Sequence, residues 1–236
     1  MYSDNDKSSA VPGTATSAKE QEEHMSVLQQ ISESLQKGED AKVAELTQQA
    51  IDEGLDAARI LNEGLLAGMD VVGQRFGANE IFLPEVLLSA RAMNAGMDLI
   101  KPLLVAGDVP TLGKVVIGTI KGDLHDIGKN LVGIMLRGAG YEVIDLGADV
   151  AAEKFVDTAD AEGAQVIGLS ALLTTTMSGM KDVVELVKTK GLEGKVKVIV
   201  GGAPLSQAFA DDIGADGYGY DASNAVDIVK NLAGVA

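Results

Sequence analysis

The chain has no cysteine, which excludes disulfides, thiolate metal sites and cysteine nucleophiles. It has no tryptophan and only 4 Phe and 4 Tyr, too few for the aromatic platforms on which single-stranded nucleic acids stack. Basic residues are scarce, 19 Lys and Arg against 35 Asp and Glu, for a formal charge of −16. Phosphate backbones and anionic membrane surfaces are bound by clustered Lys and Arg, so neither nucleic acid nor membrane is expected as a partner. No apolar run approaches the roughly 18 residues of a membrane span, and the opening residues carry no apolar or Arg-rich targeting pattern. A soluble cytoplasmic protein is expected. Histidine is reduced to 2 residues, and any imidazole chemistry must pass through His24 or His125.

What is present is globular: 236 residues, 46% hydrophobic and 23% charged, enough for one large domain or two small ones. Residues 1–24 mix Ser, Asp, Lys, Pro and Gly and read as a disordered tail. His24 follows Gln21-Glu22-Glu23 at a helix start and is expected to face solvent. Over 25–105 the periodicity is helical. Val27, Leu28, Ile31 and Leu35 form one stripe before Gly38, and Val43, Leu46, Ala50 and Ile51 a second before Gly54. Ile60, Leu61, Leu65, Met69 and Val72 form a third, and Pro84 can open a fourth helix in its first turn. A four-helix bundle is predicted, followed by a Gly, Asp, Pro and Thr linker over 106–113.

From 114 to 236 the texture changes. Short β-rich runs at 114–120, 142–146, 165–170, 195–200 and 217–220 alternate with helical stretches at 127–137, 152–161, 178–188, 205–213 and 222–232. Alternation of this kind implies βαβ units. The expectation is an α plus α/β protein whose second part is a flavodoxin-like, doubly wound, five-stranded parallel sheet. Ligands of that architecture sit outside the carboxyl ends of the strands.

The first strand runs into Lys121-Gly122-Asp123-Leu124-His125-Asp126-Ile127-Gly128. It is neither a phosphate-cradling Walker loop nor a dinucleotide fingerprint. It holds the one histidine outside the tail, with a carboxylate on each side, and Asp123 can fold back to hold the second ring nitrogen and orient the first toward a metal. One His is too few for a tetrahedral zinc site without cysteine, but a metal already chelated in a macrocycle needs only an axial ligand. Taken alone, a His beside Asp in a loop is more commonly a solvated residue. Two further loops bear on it. The third strand ends in Ser170-Ala171-Leu172-Leu173-Thr174-Thr175-Thr176, whose hydroxyls either meet a ligand or cap the next helix. The fourth ends in Gly201-Gly202-Ala203-Pro204, which either lets a ligand approach the backbone or is a plain turn.

Asp123-x-His125-x-x-Gly128, followed by Ser170-x-Leu172 and Gly201-Gly202, resembles the cobalamin-binding signature of methionine synthase, corrinoid methyl carriers and base-off mutases. Upstream, the stretch from Arg75-Phe76-Gly77 to Phe82-Leu83-Pro84 resembles the helical cap of the methyl-transferring branch. Cap and binding domain together cover the chain from about Met25 onward. The likeness is greatest to the free-standing corrinoid proteins of methylamine, methanol, betaine and methoxyarene systems. That resemblance implies a base-off, His-on cobalamin or related corrinoid with His125 as lower cobalt ligand and Asp123 as its partner. It implies that Ser170 joins the same relay or meets the nucleotide tail, that Thr174, Gly201 and Gly202 line the tail slot, and that Phe76 and Leu83 shield the methyl face. Gly122, Leu124, Asp126, Ile127, Leu172, Thr176 and Ala203 complete the expected cofactor contacts. Gly219-Tyr220 departs from the residues common in the family before Asp221.

The implied function is a methyl shuttle between cob(I)alamin and methylcob(III)alamin states, not active alone. A substrate-specific methyltransferase loads it, a second methyltransferase passes the group to a thiol or tetrahydrofolate, and a reductive activator restores it. The His–Asp pair then couples proton uptake to ligand release, and the acidic surface suits transient docking. The rivals are a cobalamin-responsive regulator, which needs a basic DNA-binding segment, a mutase small subunit, which needs no methyl cap, and a flavodoxin-like binding module that takes no cobalamin.

Overall fold

In a computed structural model the described residues are 26–104 and 111–233. The expected tail with His24, and most of the expected linker, lie outside them.

Among the described residues the N-terminal half contains four long helices and a 3-10 turn at Lys101–Leu103. Helix α1 (Val27–Gln36) opens on a capping box in which Ser26 and Gln29 satisfy each other's backbone N–H groups. Helix α2 (Asp40–Asp52) follows Gly38 directly. The third helix, α3, was predicted as one regular α-helix. It is α-helical at Ala57–Arg59 and Ala67–Gly77 but π-helical over Ile60–Leu66. Its buried residues run in steps of four, Ile60-Gly64-Gly68-Val72 and Leu61-Leu65-Met69. A 3.6-residue turn would rotate such a stripe away from the core, and the wider π turn keeps it facing inward. Helix α4 (Leu83–Ile100) carries Pro84 in its first turn, and Glu85 accepts the Phe82 N–H at 3.1 Å.

The second half alternates strands with helices. The strands are β1 (Lys114–Thr119), β2 (Glu142–Asp145), β3 (Val166–Ser170), β4 (Lys197–Gly201) and β5 (Gly217–Gly219). The helices are α5 (Ile127–Gly138), α6 (Ala152–Glu162), α7 (Ser178–Thr189), α8 (Gln207–Ile213) and α9 (Ala222–Leu232). All strand pairs are parallel, in the order β2-β1-β3-β4-β5, the flavodoxin-like arrangement expected. The order reverses between β1 and β3. The loops leaving these two strands therefore diverge and open a crevice at their carboxyl ends.

Side chains alternate across the sheet and sort the core into two layers. Val116, Ile167, Val198 and Val200 pack with Phe155, Met180, Val183 and Ile213 of α6, α7 and α8. Val115, Ile117, Val166 and Ile199 pack on the opposite face with Met135 and Leu136 of α5 and Val226 and Val229 of α9. That second layer is continuous with the helical half, whose Ile31, Leu35, Leu65, Met69 and Val72 belong to the same cluster. Polar ties join the halves as well. Ser223 donates to the Gly73 carbonyl at 3.2 Å, and Lys230 pairs with Asp70 at 2.9 Å. This docking brings Phe76, near the end of α3, to the cleft at the strand ends.

Candidate functional site

Three loops at the carboxyl edge make the site. Strand β1 is apolar and buried up to Thr119, also buried. The chain then turns at Gly122, whose φ of +84° is a conformation that few side chains tolerate. Asp123 is carried inward and is 0% exposed. Its carboxylate accepts five hydrogen bonds. To Oδ1 donate the His125 backbone N–H at 3.0 Å and His125 Nδ1 at 2.7 Å. To Oδ2 donate the N–H groups of Leu172 and Leu173 at 2.8 and 3.0 Å and the Thr176 hydroxyl at 3.1 Å. One buried carboxylate thus ties the β1–α5 loop to the β3–α7 loop across the crevice.

Burial alone would raise the Asp123 carboxyl. The backbone N–H groups of His125, Leu172 and Leu173, together with the His125 side chain, outweigh it and hold the group well below the usual carboxylate range. Asp123 is therefore a fixed anion, and His125 presents Nδ1–H to it. The Thr119 hydroxyl holds the His125 carbonyl at 3.0 Å. With Nδ1 and the backbone fixed, and the side chain 52% exposed, Nε2 is the nitrogen left for a ligand. Among the described residues no three His, Asp or Glu side chains converge on a common metal position. The loop offers one oriented nitrogen. The second flanking acid, Asp126, makes no bond to the ring, and its carbonyl accepts the Asn130 N–H at 2.8 Å.

Beside this loop a cavity of about 350 Å³ runs between α5, the strand ends and α9. Phe76, Gly128, Ser170, Gly201, Gly202 and Ala203 line it, as do Lys129 and Tyr220. Gly202 is indispensable to its shape. With φ at +137°, a Cβ there would lie 1.9 Å from the Ala171 carbonyl oxygen. Leu124, Ile127, Leu172, Leu173 and Tyr220 are large apolar side chains left exposed; Leu124, Leu172 and Leu173 belong to the two loops that Asp123 joins, and Ile127 opens the helix that follows the first of them. Exposed apolar groups grouped in this way mark a binding surface.

The structure thus brings together His125, Leu172 and Thr176 around the Asp123 carboxylate, and Phe76, Gly128, Ser170, Gly201, Gly202 and Ala203 around the cavity, while the Gly122 N–H donates to Asp149 instead. The hydroxyl that reaches Asp123 is that of Thr176, whereas Ser170 faces the cavity. Thr174 is exposed and Leu83 lies at the start of α4, and neither lines the cavity. Sequence reasoning passed over Thr119, Leu173, Lys129, Asp149 and Tyr220. Only Thr119 and Tyr220 left a trace, as a hydroxyl ending an apolar strand and as a departure from a pattern.

A B12 binding domain model matches residues 113–227, and a second B12 binding domain model matches residues 27–101. A corrinoid protein of Desulfitobacterium hafniense is 45% identical over 213 residues, covering 89% of this chain and 99% of that protein. Dimethylamine corrinoid protein 1 of Methanosarcina acetivorans is 49% identical over 179 residues, 75% of this chain and 84% of its own. Among solved structures, the methanol:cobalamin methyltransferase complex of Methanosarcina barkeri contains a chain that superposes with a TM-score of 0.81 at 34% identity. The match covers 94% of this chain and 86% of that one.

Proposed function

The chain belongs to the corrinoid, B12-binding protein family, and from that premise we propose that it carries a methyl group on a bound corrinoid between methyltransferases. The residues present fit such a group. A single oriented imidazole is what a macrocyclic cobalt lacks below its plane, the exposed leucines and Ile127 offer an apolar bed for the ring, and the cavity kept open by Gly202 accepts an extended tail. The bound corrinoid supplies a cobalt that takes up and hands on the methyl group. The chain supplies the rest. His125 Nε2 is the lower axial ligand in a base-off, His-on arrangement, and Asp123 fixes the tautomer through Nδ1. Residues 25–105 act as a cap over the binding domain at 114–236, joined through 106–113, and Phe76 and Leu83 turn water away from the upper face. Ser170, Gly201 and Gly202 hold the tail.

The loading partner is a substrate-specific methyltransferase, in keeping with the complex in which the structural relative was solved. A second methyltransferase delivers the group to a thiol or tetrahydrofolate, and a reductive activator rescues oxidised cobalt. The observation that carries this reading is the 2.7 Å contact between His125 Nδ1 and the buried, five-bonded Asp123 carboxylate. The test is the visible spectrum of the protein reconstituted with hydroxocobalamin beside that of His125→Ala. The expected result is a base-off, His-on spectrum that His125→Ala abolishes. Identical spectra would remove His125 from the cobalt.

A further inference from the structure

A Lys stands at each end of the segment that carries His125, and both point to the same neighbouring loop. Lys121 Nζ lies 3.3 Å from Asp149. Lys129 Nζ, only 4% exposed, lies 2.5 Å from Asp145 and 2.6 Å from the Asn130 side-chain oxygen. Asp145 and Asp149 begin and end one five-residue stretch, Asp145-Leu146-Gly147-Ala148-Asp149, that leaves β2 for α6. The backbone of this stretch reaches the His125 loop twice more. Thr119, whose hydroxyl holds the His125 carbonyl, donates its N–H to the Gly147 carbonyl at 2.9 Å, and the Asp149 N–H donates to the Asp123 carbonyl at 3.0 Å.

Asp149 itself has φ of +56°, a left-handed conformation that is costly for a non-glycine residue and persists only where the surroundings fix it. Here the conformation turns the carboxylate back over the loop, where Oδ1 accepts the Gly122 N–H at 2.8 Å. The Asp123 clamp ties the His125 loop to the β3 side. Asp149 ties the Gly122–Asp123 turn to the β2 side through both its carboxylate and its backbone N–H.

We propose that the β2–α6 loop is the positioning element of the His125 loop and that Asp149 is the positioning residue that sets the height of His125 Nε2, with the buried Lys129–Asp145 pair anchoring the far end. The inference rests on the axial-ligand reading of His125. Its test uses the full chain reconstituted with hydroxocobalamin, as parent, Asp149→Ala, Asp149→Gly, Asp149→Asn and His125→Ala. Corrinoid release and the concentration of free imidazole that displaces the protein ligand, both followed by visible spectrum, are measured alongside amide exchange at Gly122 in the cofactor-free protein. Asp149→Ala and Asp149→Gly are expected to release the corrinoid about tenfold faster, to yield to imidazole at lower concentration and to lose protection at Gly122. Asp149→Asn keeps an acceptor and tolerates the left-handed backbone, and so stays near the parent. If Asp149→Gly matches the parent, the backbone conformation rather than the carboxylate matters and the proposal falls. It falls equally if both Ala and Gly variants match the parent while His125→Ala alters the spectrum. If His125→Ala itself leaves the spectrum unchanged, the axial-ligand reading fails first.

Discussion

Two exposed segments flank the same cleft and are built in opposite ways. The loop around His125 is held by a buried carboxylate, by the Thr119 hydroxyl and by Asp149, with partners at the end of β1 and on the β2–α6 and β3–α7 loops. The segment joining α3 to α4, residues 78–82, is anchored by one side chain, Ile81, which packs in the core. Its polar ties are local: a 3.6 Å surface ion pair between Arg75 and Glu80, the Phe82 N–H on Glu85, and helix-terminal backbone bonds. Phe82 stands 63% exposed at its end. The difference suits the roles proposed for the two segments. An axial ligand needs its nitrogen fixed before cofactor arrives, because every rotamer frozen on binding costs affinity. A cover that partner enzymes must pass needs few ties to the rest of the protein.

Breaking the rigid side gives the largest effect. Asp123→Asn places an amide donor against N–H groups that need an acceptor, and buried unsatisfied donors cost 1–3 kcal/mol each. A loss of about 3 kcal/mol of stability in the cofactor-free protein is expected by urea denaturation, together with loss of the His-on spectrum. Gly202→Ala comes next, because the added methyl collides with the Ala171 carbonyl at a left-handed φ. About 2 kcal/mol of destabilisation is expected, with corrinoid affinity falling further than stability does.

The pH dependence sharpens the same comparison. Asp123 titrates lower in the folded protein than in the unfolded chain, where the ordinary value is about 4. Its stabilisation is therefore complete above that value and is lost as the pH falls through it toward the folded value. Urea midpoints measured from pH 6 downward should decline more steeply in the parent than in Asp123→Asn. Equal slopes would deny the buried carboxylate its role. The smallest effect belongs to the flexible side. Phe82→Ser removes an exposed ring from a segment with few outside partners, and stability should change by less than about 0.5 kcal/mol. A larger loss would mean that the two segments are more alike than their bonding indicates.

Much of this was legible in the amino-acid sequence because period and punctuation are local. β3 and β4 begin within two residues of their expected positions, and α7 and α9 start where expected. The cleft followed from the alternation of strands and helices, and His125 from being the sole histidine outside the tail. The partners of Asp123 were not legible. Two of them, Leu172 and Leu173, act through backbone N–H groups, which no side-chain pattern announces. Thr176 was one hydroxyl among four in its loop until the fold selected it over Ser170. Asp149 was hidden for another reason, since a left-handed aspartate looks like any other acidic loop residue until its φ is known. The π segment did leave a signature in the strict steps of four along α3, but a 3.6-residue template reads those as an ordinary helix.

The central claim is that one protein imidazole, held by Asp123, is the lower ligand of the cobalt. The most direct measurement is the electron paramagnetic resonance spectrum of the cob(II)alamin form, prepared with natural-abundance and with 15N-histidine-labelled protein. A single axial nitrogen splits each cobalt line into a triplet when it is 14N and into a doublet when it is 15N. Conversion of triplets to doublets on histidine labelling, absent in His125→Ala, is the result predicted. Triplets that persist in the labelled protein would show that the nitrogen comes from the corrinoid's own base, and would contradict the account.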